Sequence, residues 1–231
     1  GPMTLTAETK FAARDSDERS TLTLVRALWA DDAVSAAEIT AMQDFRDLFG
    51  AEILAPGAEF AVQNMVFLFS DLVGSTALYE RVGDAPAFAL VRDHFELMKS
   101  IYLKHEGSLV KTIGDAVMAV FRRPRAAVDA ALEMHRRIGN LHNVDGEALA
   151  LRIGLHRGPC IAMEANGLVD YFGTTVNLAA RVQGRAGAGE TALSPAMVGD
   201  AEVCAFLSGE GRALPRRQLL VQLKGLKGDH E

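Results

Sequence analysis

"SLVKTIGDAVMAVF", residues 108–121, carries two apolar runs on either side of Gly114-Asp115. Two short runs parted by two such residues read as a β-hairpin, because Gly and Asp accept the backbone angles a tight turn demands. The flanking segments decide the fold. Upstream, "MVFLFSD" (65–71) is a continuous apolar run ending in polar residues, as in a fully buried strand. Between them, Phe88, Val91, Phe95, Met98 and Tyr102 recur at spacings of three and four, a helical stripe expected to face the core. Asp84 is its expected N-cap, Pro86 lies in its first turn and Gly107 closes it. Downstream, Pro124 opens a helix to about Leu141, "ALALRIGLHRG" (148–158) reads as a strand, and a helix follows from Thr174. This β-α-β-β-α-β order is that of a ferredoxin-like α+β sandwich, with helices on one face of a largely antiparallel sheet.

Outside that unit the chain changes character. Gly1-Pro2 before Met3 reads as the scar of a cleaved tag, and residues 1–16 as a polar, flexible N-terminus. Residues 17–57 read as a helical segment and linker. One helix is expected from Asp17 to Ala30; a second begins at the capping box Ser35–Glu38 and carries Ile39, Met42, Phe45, Leu48 and Phe49 at helical spacing. "APG" (55–57) links them to the main domain, residues 58–231.

The 231 residues, 49% of them hydrophobic, suffice for a substantial core. A net charge of -6 argues against a dedicated nucleic-acid binder. Arg122, Arg123 and Arg125, like Arg216 and Arg217, read as solvated edges. Two cysteines, Cys160 and Cys204, without metal-cage spacing suit a reducing cytoplasm. No apolar run approaches the roughly 20 residues of a membrane span, so neither membrane insertion nor a signal peptide is expected.

Asp71 ends the buried strand and precedes Leu72, Val73, Gly74, Ser75 and Thr76. It suits either a helix cap or a metal ligand beside a loop whose backbone N–H groups meet phosphate. Asp115 at the hairpin turn supplies a second carboxylate; two on neighbouring strand ends can hold paired divalent ions for phosphoryl displacement. Lys111 lies four residues before Asp115, roughly 13 Å along one strand face. That is near the length of a nucleoside triphosphate, which leaves one shared nucleotide and two separate ones equally open. In "DYFGTTVNLAARV" (170–182), Asn177 and Arg181 stand one helical turn apart on a helix expected to bury Val176, Leu178, Ala179, Ala180 and Val182. His156, on a buried strand, reads as a core or rim histidine.

"FLFSDLVGST", "VKTIGDAVMAVF" and "DYFGTTVNLAARV" together resemble the catalytic domain of the class III nucleotidyl cyclases, in family order and spacing, over about Val62 to Lys227. "LFGAEILAPGAEFAV" resembles the lead-in of bacterial adenylate cyclases with an extra N-terminal domain. The resemblance implies that Asp71 and Asp115 bind two metal ions per site, Mg²⁺ or Mn²⁺. It implies that Lys111 and Asp170 read the purine, that Asn177 positions the ribose, that Arg181 meets charge on the α-phosphate, and that Lys224, with Lys227 close by, contacts the distal phosphates. It also implies a homodimer with each site shared. Adenine offers an acceptor at N1 and a donor at N6; lysine donates to the first and aspartate accepts from the second, whereas guanine reverses both edges. The expectation is therefore an adenylate cyclase acting on ATP. A guanylate cyclase is opposed by Lys111 and Asp170. An inactive nucleotide-binding regulatory module is opposed by retention of every metal and transition-state residue. A cyclic-di-nucleotide synthase lacks support because no GGDEF-like turn occurs.

Overall fold

The computed structural model describes residues 39–49, 59–141, 148–165 and 168–220, all within the compact unit Val34–Glu231. The expected helix at 17–30, the capping box, the "APG" linker, Lys224 and Lys227 lie outside the described residues.

Strand β1 (Glu59–Leu72) is the centre of the sheet, and its run Met65–Ser70 is buried without a break. Alternation along it feeds two cores. Val66, Leu68 and Leu72 join one apolar cluster, whereas Met65, Phe67 and Phe69 join another on the opposite face. β1 pairs antiparallel with β3 (Ala116–Phe121) and with β4 (Leu151–Ala165). β2 (Gly107–Ile113) and β5 (Leu168–Phe172) are the edges, giving the order β2-β3-β1-β4-β5; β6 (Thr191–Leu193) adds a short parallel pairing to β4. The ferredoxin-like order and the Gly114-Asp115 turn, with Gly114 at φ 64°, are as expected.

Helix α1 (Gln43–Phe49) precedes the sheet; α2 (Ser75–Val82), α3 (Asp84–Lys104) and α4 (Pro124–Ile138) follow in chain order, then α5 (Thr174–Gln183), α6 (Pro195–Val198) and α7 (Ala201–Ser208). The two crossover helices α3 and α4 pack on the first cluster. The other face is covered too: Ala41, just before α1, and Ala179 of α5 belong to the second cluster. The expectation of helices on a single face therefore holds for the two crossovers and not for these additions.

Three local expectations are corrected. The inward residues of α3 are Ala87, Val91, His94, Met98, Ile101 and Tyr102, while Phe88 is 64% exposed. The helix starts at Asp84 with Gly83 at its N-cap, and α2 forms a separate short helix before it. Near α1 the helical segment breaks at Ala41–Met42, and the buried residues are Thr40, Ala41, Gln43 and Arg46; Met42 and Leu48 are exposed. The buried Gln43 and Arg46 side chains bond to backbone groups of the sheet edges.

A flat sheet would set β2 and β5 four strand spacings apart, roughly 19 Å. Yet Lys111 of β2 reaches Asp170 of β5 at 2.6 Å. The sheet is curled, so its two edges approach each other.

Candidate active site

The last β1–β3 pair is Ser70 with Val117, so Asp71 and Asp115 leave neighbouring strand ends at the same end of the sheet. Asp71 caps no helix. Gly74, at φ 78°, is the N-cap of α2, and Asp71 instead accepts a hydrogen bond from Arg152 Nε at 2.6 Å across the β1–β4 pair. Asp115 has the opposite problem: its Oδ2 is buried with no hydrogen-bond partner. His94 is fully buried and both of its ring nitrogens also lack partners. Burial pushes its pKa down to about 4, while the charge of Asp115 pulls the other way.

An orphaned buried carboxylate oxygen is costly, and a cation would satisfy it. Among the described residues no group of three or more His, Cys, Asp or Glu side chains is placed to hold a metal. Asp71 and Asp115, at one end of the sheet, are the carboxylates that would hold a divalent cation, a hard ion that takes oxygen ligands.

The loop after Asp71 divides its labour. Leu72 is a core residue and the Val73 N–H donates to Ala150 O at 2.9 Å. Gly74, Ser75 and Thr76 stand at the N-terminus of α2, where no side chain caps the helix.

Lys111 Nζ donates to Asp170 Oδ2 at 2.6 Å, and Asp170 Oδ1 accepts from the Tyr171 N–H at 2.8 Å. The Lys111 side chain remains 41% exposed, so a ligand can reach the pair. A bulge between Leu109 and Lys111 shifts the register of β2, and bulges of this kind re-aim side chains. The regular strand spacing expected from Lys111 to Asp115 does not hold for a separate reason: β2 stops at Ile113, and Asp115 belongs to the turn.

Asn177 and Arg181 are both exposed on α5. The helix buries only Thr175 and Ala179, fewer residues than the sequence suggested. It lies directly on β4. A Cβ at Gly154 would come within 2.2 Å of the Gln183 backbone, and one at Gly158 within 2.8 Å of Thr175 Oγ1. The two glycines let the helix approach closely enough to fix where Asn177 and Arg181 stand.

The structure thus makes three groupings: Asp71 with Asp115, Lys111 with Asp170, and Asn177 with Arg181. Among the described residues, no hydrogen bond or ion pair joins Asp71 or Asp115 to Lys111, Asp170 or Asn177. Nor do the predicted residues line the cavity of about 970 Å³ between α4, α5, β6 and α7. His156 borders that cavity, with Nδ1 2.7 Å from Ser194 Oγ. Cys160 is buried, and that burial pushes its thiol up to about 12, away from the thiolate form a nucleophile uses. Arg152, His94, Gln43 and Arg46 escaped sequence reasoning. Only the charge of Arg152, opening the strand after the carboxylates, hinted at its partner.

A family profile described as the adenylate and guanylate cyclase catalytic domain matches residues 59–214. Adenylate cyclase 2 of Rhizobium meliloti is 34% identical over 151 residues, 60% of this chain and 42% of that protein. Guanylate cyclase 32E of Drosophila melanogaster is 34% identical over 132 residues, 52% of this chain and 11% of that one. The chain spans less than half the length of these curated relatives. Among solved structures, the catalytic core of a rhodopsin-guanylyl cyclase with converted specificity, in complex with ATPalphaS, superposes with a TM-score of 0.65 at 25% identity, covering 75% of this chain and 95% of that one. No helix among the described residues is long and apolar enough to cross a membrane.

Proposed function

Because this chain belongs to the adenylate and guanylate cyclase catalytic domain family, we propose that it converts ATP to 3′,5′-cyclic AMP and pyrophosphate in a homodimer with shared sites. Relatives of both substrate classes match, so our choice of ATP rests on base chemistry. The observation that carries ATP is the Lys111–Asp170 pair. An ammonium donor and a carboxylate acceptor side by side complement N1 and N6 of adenine, and mismatch the edge of guanine.

Asp71 and Asp115 would hold two divalent cations, Mg²⁺ or Mn²⁺, which when bound lower the pKa of the attacking 3′-hydroxyl and neutralise phosphate charge. Asn177 orients the ribose. Arg181 presents planar, permanently charged donors to oxygens of the α-phosphate, where negative charge develops in the transition state. The N–H groups of Gly74, Ser75 and Thr76 face phosphate at the start of α2, and Leu72 and Val73 fix that loop to the sheet. Lys224 is assigned to the distal phosphates.

Among the described residues no hydrogen bond or ion pair joins Asp71 or Asp115 to Lys111, Asp170 or Asn177, which is compatible with sharing. A two-fold dimer would bring Asp71 and Asp115 of one protomer to Lys111, Asp170, Asn177 and Arg181 of its partner. Ile161, Leu168 and Phe172, all exposed on β4 and β5, give that face the apolar character an interface needs.

The test is incubation of the purified protein with ATP or GTP and Mg²⁺ or Mn²⁺, followed by quantification of cyclic AMP and cyclic GMP. Cyclic AMP from ATP, lost in EDTA, is the expected result; a preference for GTP would make the chain a guanylate cyclase. Lys111→Glu combined with Asp170→Cys should cut kcat/KM for ATP, within the ceiling of about 10⁴–10⁵ for hydrogen-bond discrimination. Unchanged ATP kinetics in that variant would remove both residues from base recognition.

A further inference from the structure

The helix that precedes the catalytic sheet makes contacts its sequence does not advertise. Gln43 and Arg46, three residues apart on α1, face the same side, and each reaches a different edge of the curled sheet. Gln43 Oε1 accepts the Leu109 N–H of β2 at 2.7 Å; its Nε2 donates to Asp47 Oδ1 at 2.7 Å, which orients the amide for that role. Arg46 is buried, and donates to Val169 O of β5 at 2.6 Å and to Thr40 O at 3.2 Å. Its guanidinium lies 5.7 Å from the centroid of the Tyr171 ring, whose hydroxyl donates to Thr40 O at 3.0 Å.

The two anchor points flank the base-reading pair. Leu109 is two residues from Lys111 and Val169 is adjacent to Asp170. Edge strands expose unpaired N–H and C=O groups. Here one helix takes a donor from one edge and an acceptor from the other, on either side of the gap that the Lys111–Asp170 contact spans.

Resting on the base-recognition reading above, we infer that α1 is a brace in which Gln43 and Arg46 are positioning residues, setting the separation of β2 and β5 and so the spacing of Lys111 and Asp170. A purine meets the pair at the right spacing only while the brace is seated. Movement of α1 would spread the edges and weaken nucleotide use without touching the metal end.

The experiment compares wild type with Gln43→Ala, Arg46→Met and Arg46→Lys, measuring kcat and KM for ATP and GTP, thermal midpoint and hydrogen exchange at the Leu109 amide. Gln43→Ala and Arg46→Met should raise KM for ATP about tenfold, within the range that misplacement of about an ångström costs. They should narrow the preference for ATP over GTP while kcat changes less. Arg46→Lys, which keeps a charged donor, should recover most of the loss, and the Leu109 amide should lose protection in Gln43→Ala. Should Arg46→Met fail to fold, Gln43→Ala decides. A lower thermal midpoint with KM and nucleotide preference unchanged would overturn the brace and leave α1 a packing element. A wild type that prefers GTP would sink the ATP assignment alone, and the brace would be judged by KM for GTP.

Discussion

Asp71 and Asp115 illustrate how two similar side chains acquire different environments from position alone. Asp71 lies in the last pairs of a strand whose neighbour supplies Arg152, whereas Asp115 sits in a turn with one oxygen buried and unpartnered. If both hold cations, charge is what they contribute. Asp71→Asn keeps the shape and still accepts from Arg152, so unfolding by urea should shift by no more than the roughly 1 kcal/mol of a part-exposed ion pair. Turnover should fall more than about 100-fold, beyond the cost of losing a group that merely orients a ligand. Retained turnover would remove Asp71 from the chemistry. Both carboxylates were legible in the sequence because strand ends and two-residue turns are local features. Arg152 and His94 were not. Cross-strand register and the phase of a helix are settled by packing, and a histidine inside α3 looks like any polar residue until burial shows it facing the core.

At the scale of elements, the strands and the order of crossovers were legible, since apolar runs and turn residues specify them directly. The faces of helices were less so. Periodicity assigned α1 an apolar inner face, yet Gln43 and Arg46 point inward because sheet edges present polar backbone that polar side chains can satisfy. On α3, the apolar Phe88 gave way to Ala87 and His94 as inward positions. The joint between α3 and α4 offers a measurable pH effect. Glu133 accepts from Lys104 Nζ at 2.7 Å and lies 2.8 Å from His105 Nε2, at the C-terminal end of α3. These partners hold its pKa at about 2, below the ordinary 4.5. A depressed carboxylate pKa gives stability that is present above 4.5 and lost as pH falls toward 2. Glu133→Gln should destabilise the protein by about 1–2 kcal/mol at pH 7. Chemical denaturation across pH should show wild type and variant converging near pH 2. A difference independent of pH would mean that the carboxylate's charge is irrelevant to the joint.

For the whole molecule, curl is the property that no local pattern announces. It brings opposite edges of the sheet together and joins Lys111 to Asp170. On the proposed reading, one chain carries two halves of a site that complete each other across a two-fold axis, and the account stands on that. The direct measurement is complementation. Asp71→Asn and Arg181→Ala are each expected to be inactive, and are mixed under conditions where exchange of differently tagged chains is demonstrated. In a mixed dimer one site collects both lesions and the other collects neither. Random pairing makes half of the dimers mixed, so cyclic AMP formation should recover to roughly a quarter of wild type. Proven exchange with no recovery would contradict the shared site and require each chain to work alone.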